Sequence, residues 1–291
     1  MKIGFYHTCV MDWDIDRTFS WAGQNGFAGI ELHGGPRYKH VNWHEIAKGN
    51  GVSAILAAQE HYGVPVTGLM FGAIPFLSPD PLERERALQE IDVLLRAAKQ
   101  IGAPVVSTFT GRNPLKTLEE NIDLYEKAFT PIAEQAEACG IKLAFENCPM
   151  YEFWPPVYNI AVSPVIWREM FARVPSAALG LNFDPSHLVW QGIDYAKAVK
   201  DFGDRIFIAQ AKDTEVLPHV LREEGMLTCR WWRHRIPGHG DVDWGKFITA
   251  LHEIGYSEIL SIEHEDPIWS GTEEKVEQGL LHAKKHLERF I

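Results

Sequence analysis

"LLRAAKQIGAPVVSTFTG", residues 94–111, holds the fold in miniature. An amphipathic stretch runs to Gly102, and a short apolar, valine-containing run follows. Glycine just past a helix suits the left-handed position that closes the last turn. The run after it is too short for a helix and reads as a buried strand. The same unit recurs along the chain. It appears in "SWAGQNGFAGIELHG" (20–34), "AAQEHYGVPVTGLMFG" (57–72), "IAEQAEACGIKLAFEN" (132–147) and "LHEIGYSEILSIEHE" (251–265), turning at Gly26, Gly63, Gly140 and Gly255.

Working outward from these units gives strands at about 2–8, 28–34, 64–72, 104–111, 141–149, 178–186, 205–213 and 258–266. Helices fall at about 14–25, 40–62, 80–101, 117–139, 163–174, 194–203, 243–254 and 272–289. "SPDPLERER" (78–86) gives one of them a Pro-rich, acidic start. Eight strand-then-helix units favour a parallel sheet, and eight is the number that closes a (β/α)8 TIM barrel. A doubly wound open sheet is the alternative, but no GxGxxG follows the first strand. With no linker or low-complexity tract, residues 1–291 are expected to form a single domain. Two segments break the rhythm: 150–162, aromatic and Pro-rich, after strand five, and 214–242, an insertion after strand seven. In a barrel both lie at the C-terminal face, where active sites sit.

Composition narrows the function. The 291 residues are 46% hydrophobic, ample for a large core, and carry a formal charge of −11. That charge argues against a nucleic-acid partner, which calls for a basic surface. Four cysteines, Cys9, Cys139, Cys148 and Cys229, are scattered without a CxxC pair, so neither a structural zinc site nor a disulfide framework is indicated. The start lacks the apolar region of a signal peptide, and no run of about 18 apolar residues would span a membrane. The expectation is a soluble cytoplasmic protein.

Several strands end in groups foreign to a core: Glu31 and His33; Glu146 and Asn147; Asn182, Asp184 and His187; Gln210, Lys212, Asp213 and Glu215; Glu263, His264 and Glu265. A carboxylate at the end of a buried strand is costly unless compensated. Barrel closure would bring Glu146, Asp184 and Glu263 to one mouth. Three carboxylates crowded together raise one another's pKa, and a divalent cation relieves them. Oxygen ligands favour Mn2+ or Mg2+ over Zn2+. Blander readings stand beside this one. A lone strand-end Glu is usually salt-bridged or solvated, His187 would merely cap a loop, and His33 would be a satisfied pocket histidine. Trp231 and Trp232 would be a packed lid or an oligomer contact. The same placement on adjacent strands is what favours the metal.

At "AFENCP", "NFDPSHLVWQGID", "AQAKDTE", "RIPGHGDVDW" and "SIEHED" the chain resembles the sugar phosphate isomerase/epimerase family, the xylose isomerase-like TIM barrels. The resemblance spans essentially the whole chain. It implies a metal held by Glu146, Asp184 and Glu263, with Gln210 where the family has a histidine on strand seven. An amide oxygen there would push preference toward Mn2+ or Mg2+ and away from Zn2+. The related apurinic endonucleases use three zinc ions in a histidine-rich site. This chain has His187 and His234 at positions that could serve such a site but lacks the strand-seven histidine, and its charge would repel DNA. The 214–242 insertion is similar to the catalytic subunits of C-glycoside deglycosidases, which act on 3-oxo-glycosides with Mn2+.

Three functions follow as expectations. In the first, Glu146 and Glu263 exchange a proton beside the ketone of a metal-bound keto-sugar. His187, Lys212, His33, His239, Trp154, Trp231 and Trp232 would contact the sugar. In the second, the same base drives elimination from a 3-oxo-glycoside. In the third, the barrel binds sugar without turnover or serves as a partner subunit. Arg37, Lys39, Arg112 and Lys116 read as solvated loop charges, so an unphosphorylated sugar is expected. The Trp-rich insertion would support a homo-oligomer or a hetero-subunit contact.

Overall fold

The computed structural model describes residues 1–149 and 158–291. Ten strands are present among them: β1 (Lys2–Tyr6), β2 (Ile30–His33), β3 (Val66–Met70), β4 (Val105–Thr108), β5 (Lys142–Glu146), β6 (Leu179–Phe183), β7 (Ile206–Ala211), β8 (Asp213–Val216), β9 (Trp232–Arg235) and β10 (Ile259–Ile262). Eight of them close into a parallel barrel in the order β1-β10-β7-β6-β5-β4-β3-β2. This is the (β/α)8 barrel expected from the repeat.

The opening stretch behaves as read. Pro81–Ile101 is a helix, Gly102 closes it at φ 74°, and β4 follows. Its buried side chains, from Ala87 through Leu94, Leu95 and Ala98 to Ile101, face the barrel. The main core lies between strands and helices, where aromatic pairs such as Phe129–Phe145 and Trp167–Phe183 meet edge to face. The layer inside the barrel is partly polar. Glu31, Ser107, Asn182, Gln210 and Ser261 are all fully buried there.

Two expectations are corrected. The helix expected over 40–62 is two helices, Trp43–Ala47 and Val52–Tyr62. Gly49 and Gly51 between them both hold positive φ, which a continuous helix cannot accommodate. The strand expected to run to 213 ends at Ala211, and Asp213 starts β8, which leaves the barrel to pair antiparallel with β9. The insertion after strand seven is therefore a hairpin with the helix Pro218–Glu224 between its strands. Asp213 anchors it. Its buried carboxylate accepts hydrogen bonds from the backbone N–H of Thr214, Gly238 and Val242 and from Trp244 Nε1, all at 2.9–3.0 Å. No helix among the described residues is long and apolar enough to cross a membrane.

Candidate metal and active site

Glu146 is the last residue of β5, delivered buried to the barrel mouth. The next residue, Asn147, fixes the neighbouring strand end. Its Oδ1 accepts from Asp184 N–H and its Nδ2 donates to Asp184 C=O, each at 2.8 Å. Asp184 leads from β6 into the short helix Pro185–Trp190 and caps it, Oδ1 accepting from Ser186 N–H at 2.8 Å. That spends one carboxylate oxygen. The other, Oδ2, is buried and makes no hydrogen bond; His187 Nε2 at 3.3 Å and Lys212 Nζ at 3.2 Å face it. Glu263 follows β10 directly.

Lys212, nearly inaccessible to solvent, sits among these acids. Its Nζ lies 2.7 Å from Glu263 Oε2 and 3.1 Å from Glu265 Oε2. One ammonium thus faces four carboxyl groups, and the charge balance is incomplete. Burial pushes Glu146 up, with Asp184, Glu265 and Glu31 adding to it and Lys212 opposing. Glu263 is raised in the same way, by burial first and then by Glu146 and Glu265, again against Lys212. Burial also works against the Asp184 carboxylate, but Lys212, His187 and the Ser186 hydrogen bonds outweigh it and hold the group low. Burial and then Lys212 drop the His187 pKa to about 4, so its imidazole is neutral.

The donor set fits one divalent cation. Oxygens of Glu146, Asp184 and Glu263 lie within 4.8 Å of one another, all three residues buried. Asp184 Oδ2 and both ring nitrogens of His187 are buried without hydrogen bonds, as ligands awaiting a partner would be. Gln210 pairs with Ser261 across β7 and β10, two residues before Glu263, and lies beside Glu31. Hard oxygens of this kind suit Mn2+ or Mg2+. A second, overlapping group joins Glu146, Cys148 and His187.

The remaining expected contact residues are spread more widely. His33 ends β2, with Nδ1 2.7 Å from the Tyr6 hydroxyl. Trp231 is buried, its Nε1 donating to Met226 C=O at 2.9 Å and its ring edge-on to Trp190. His239 lies on an exposed turn with its ring against Trp269. Trp154 falls outside the described residues. Trp232 stacks on Trp190 at 4.9 Å, and the hairpin also brings His234 to 5.9 Å from His187. Sequence reasoning passed over Tyr6, His7 and Trp190. For Tyr6 and His7 the signal was the one used elsewhere, polar aromatic groups at the end of an apolar strand. Trp190 had none, because only the hairpin's return places it.

Known proteins resemble this chain at several levels. YfiH, an uncharacterized protein of Bacillus subtilis, is 30% identical over 150 residues, 46% of this chain and 44% of its own length. The inosose isomerase of Bacillus licheniformis is 27% identical over 195 residues, 65% of this chain and 63% of that enzyme. The chain therefore aligns with less than two thirds of the length of either relative. Two solved structures share the fold. The IOLI protein with a bound zinc atom superposes with a TM-score of 0.76 at 21% identity, covering 100% of this chain and 99% of that one. The 3-keto-D-glucoside 4-epimerase of E. coli gives 0.74 at 16% identity, covering 99% of both chains. The family model of xylose isomerase-like TIM barrels matches residues 19–286, nearly the full length. The chain belongs to the xylose isomerase-like TIM barrel family.

Proposed function

We propose that this protein is a divalent-metal-dependent isomerase or epimerase of a keto-sugar, with Glu146 and Glu263 moving the proton. The observation that carries the reading is the convergence of Glu146, Asp184 and Glu263 at one buried point of the barrel mouth. The inosose isomerase relatives and the keto-glucoside epimerase of the same fold support the substrate class.

Glu146, Asp184, Glu263 and Gln210 would hold the cation. Bound there, it would balance the clustered charge and polarise the substrate's carbonyl. The chain's own residues do the rest. One glutamate takes the proton from the carbon beside the ketone, and the C–H electron pair moves onto the ketone oxygen as an enediolate. The other glutamate, protonated, returns a proton to carbon. Lys212 Nζ and the neutral His187 imidazole donate hydrogen bonds to the developing oxyanion. The buried mouth excludes bulk water from it.

The test is solvent-deuterium exchange into inosose, ketohexoses and 3-oxo-glucosides with manganese-loaded protein. Exchange at the carbon beside the ketone is expected. Glu146→Gln and Glu263→Gln keep an oxygen at each position and remove the base, so each should lower the rate by roughly 10²-fold or more. Near-normal exchange in both variants would overturn the assignment.

A further inference from the structure

The loops after β3 and β4 enclose a cavity of about 590 Å3 on the same face of the barrel as the acid cluster. Such a volume is within the range of small-molecule pockets. Its walls are mainly apolar: Ile74, Pro79, Phe109, Pro114 and Tyr158 line it. Phe109 is the shared wall. On its inner side it packs with Tyr6, Met70 and Cys148. Cys148 in turn has its sulfur within 4.8 Å of ligating atoms of Glu146 and His187. Phe109 and Cys148 thus lie between the cavity and the acid cluster.

One charged group on the cavity stands out. Arg112 has no hydrogen bond or carboxylate partner among the described residues. Other polar and charged groups of the two loops have partners of their own. Glu83 accepts from Ser78 Oγ at 2.5 Å, Arg84 donates to the carbonyls of Ser78 and Pro79, and Lys116 pairs with Glu120. Arg112 is therefore a guanidinium on an apolar pocket with its donors unspent among the described residues, the arrangement that selects a planar anion.

We propose that this cavity receives the aglycone of a glycoside whose sugar ring lies at Glu146, Asp184 and Glu263. That aglycone is an aromatic group bearing a carboxylate or phenolate oxygen. The proposal rests on the reading of the acid cluster as a keto-sugar site. The apolar walls take the ring, Phe109 meets it edge or face, and Arg112 pairs with its anionic oxygen. A free monosaccharide would leave both the cavity and Arg112 unused. The insertion after strand seven, by contrast, folds largely on itself and on Trp190, so the room for a second substrate half lies on the β3–β4 side.

The experiment compares methyl, phenyl and 4-carboxyphenyl 3-oxo-glucosides with manganese-loaded protein, by deuterium exchange and by calorimetric binding of the unoxidised glucosides. The 4-carboxyphenyl compound should exceed the methyl one in kcat/KM and affinity by at least about tenfold, the scale of burying an aromatic ring. Arg112→Ala should bring 4-carboxyphenyl down to the level of phenyl. Ala73→Trp, which narrows the cavity, should bring the aryl-to-methyl ratio toward one. Equal affinities for the three glucosides in the unmodified protein would overturn the proposal, as would ratios unmoved by either variant. If no keto-sugar exchanges but binding follows the aryl pattern, the cavity assignment stands and the proton-transfer reading fails.

Discussion

Lys212 is placed where an entering cation would meet it. Its Nζ is 2.7 Å from Glu263 and 3.2 Å from Asp184, so it supplies part of the compensation a metal would bring. A like charge a few ångströms away costs a few kcal/mol at the effective dielectric of a protein interior. A divalent ion among the same oxygens must push the ammonium toward Glu265, the half-exposed acid at 3.1 Å. Lys212→Met should therefore tighten Mn2+ binding by at least about tenfold. The same change should lower the melting temperature of the chelated protein, because buried carboxylates lose the ammonium they face. Titration calorimetry and thermal unfolding in chelator read the two effects. Weaker Mn2+ binding in the variant would mean that Lys212 arranges the acids for the ion rather than competing with it.

At the scale of elements, the hairpin hangs on Asp213. Four donors converge on its two buried oxygens, one of them the Trp244 indole. Asp213→Ala would strand them in a site closed to water, at a cost of about 3–5 kcal/mol. Chemical denaturation should show that loss, and a change under about 1 kcal/mol would mean the hairpin is held by its aromatic contacts instead. The elements themselves were largely legible, because helix, closing glycine and strand are neighbours in sequence. The split at 49–51 was legible too, in "KGNG" (48–51), but helical periodicity on both sides masked it. The acids at the strand ends stood out because polarity at a strand end breaks an apolar run. What holds them did not. Asn147 bonds Asp184 across 37 positions and Lys212 reaches Glu263 across 51, pairings that only barrel closure creates. Nor does sequence order show that Trp231 packs under the hairpin while Trp232 stacks on Trp190.

The whole molecule couples its stability to pH through acids buried inside the barrel. Glu31 lies in the polar middle layer, where Asn182 Nδ2 and Ser261 Oγ donate to it at 3.2 and 3.1 Å. Burial outweighs those bonds and raises its pKa from 4.5 to about 7. An unfolded chain titrates this group near 4.5, so between 4.5 and about 7 the folded state binds more protons. Stability from Glu31 is complete below the lower value and is lost as pH rises through the higher one. The shift corresponds to roughly 3 kcal/mol. Glu31→Gln is neutral at every pH and can keep both contacts, its oxygen accepting from Asn182 and its amide donating to the Ser261 hydroxyl. The chelated variant should therefore show a flatter stability curve across that window than the chelated parent. A bound divalent ion acts in the opposite sense. It binds ionised carboxylates better than protonated ones, and burial has raised Glu146 and Glu263, so its stabilisation must grow with pH. Melting temperatures from pH 5 to 8, with chelator and with Mn2+, test both slopes. Equal slopes for the chelated parent and Glu31→Gln would remove Glu31 from the account. An Mn2+ effect that did not grow with pH would remove the carboxylates as its ligands.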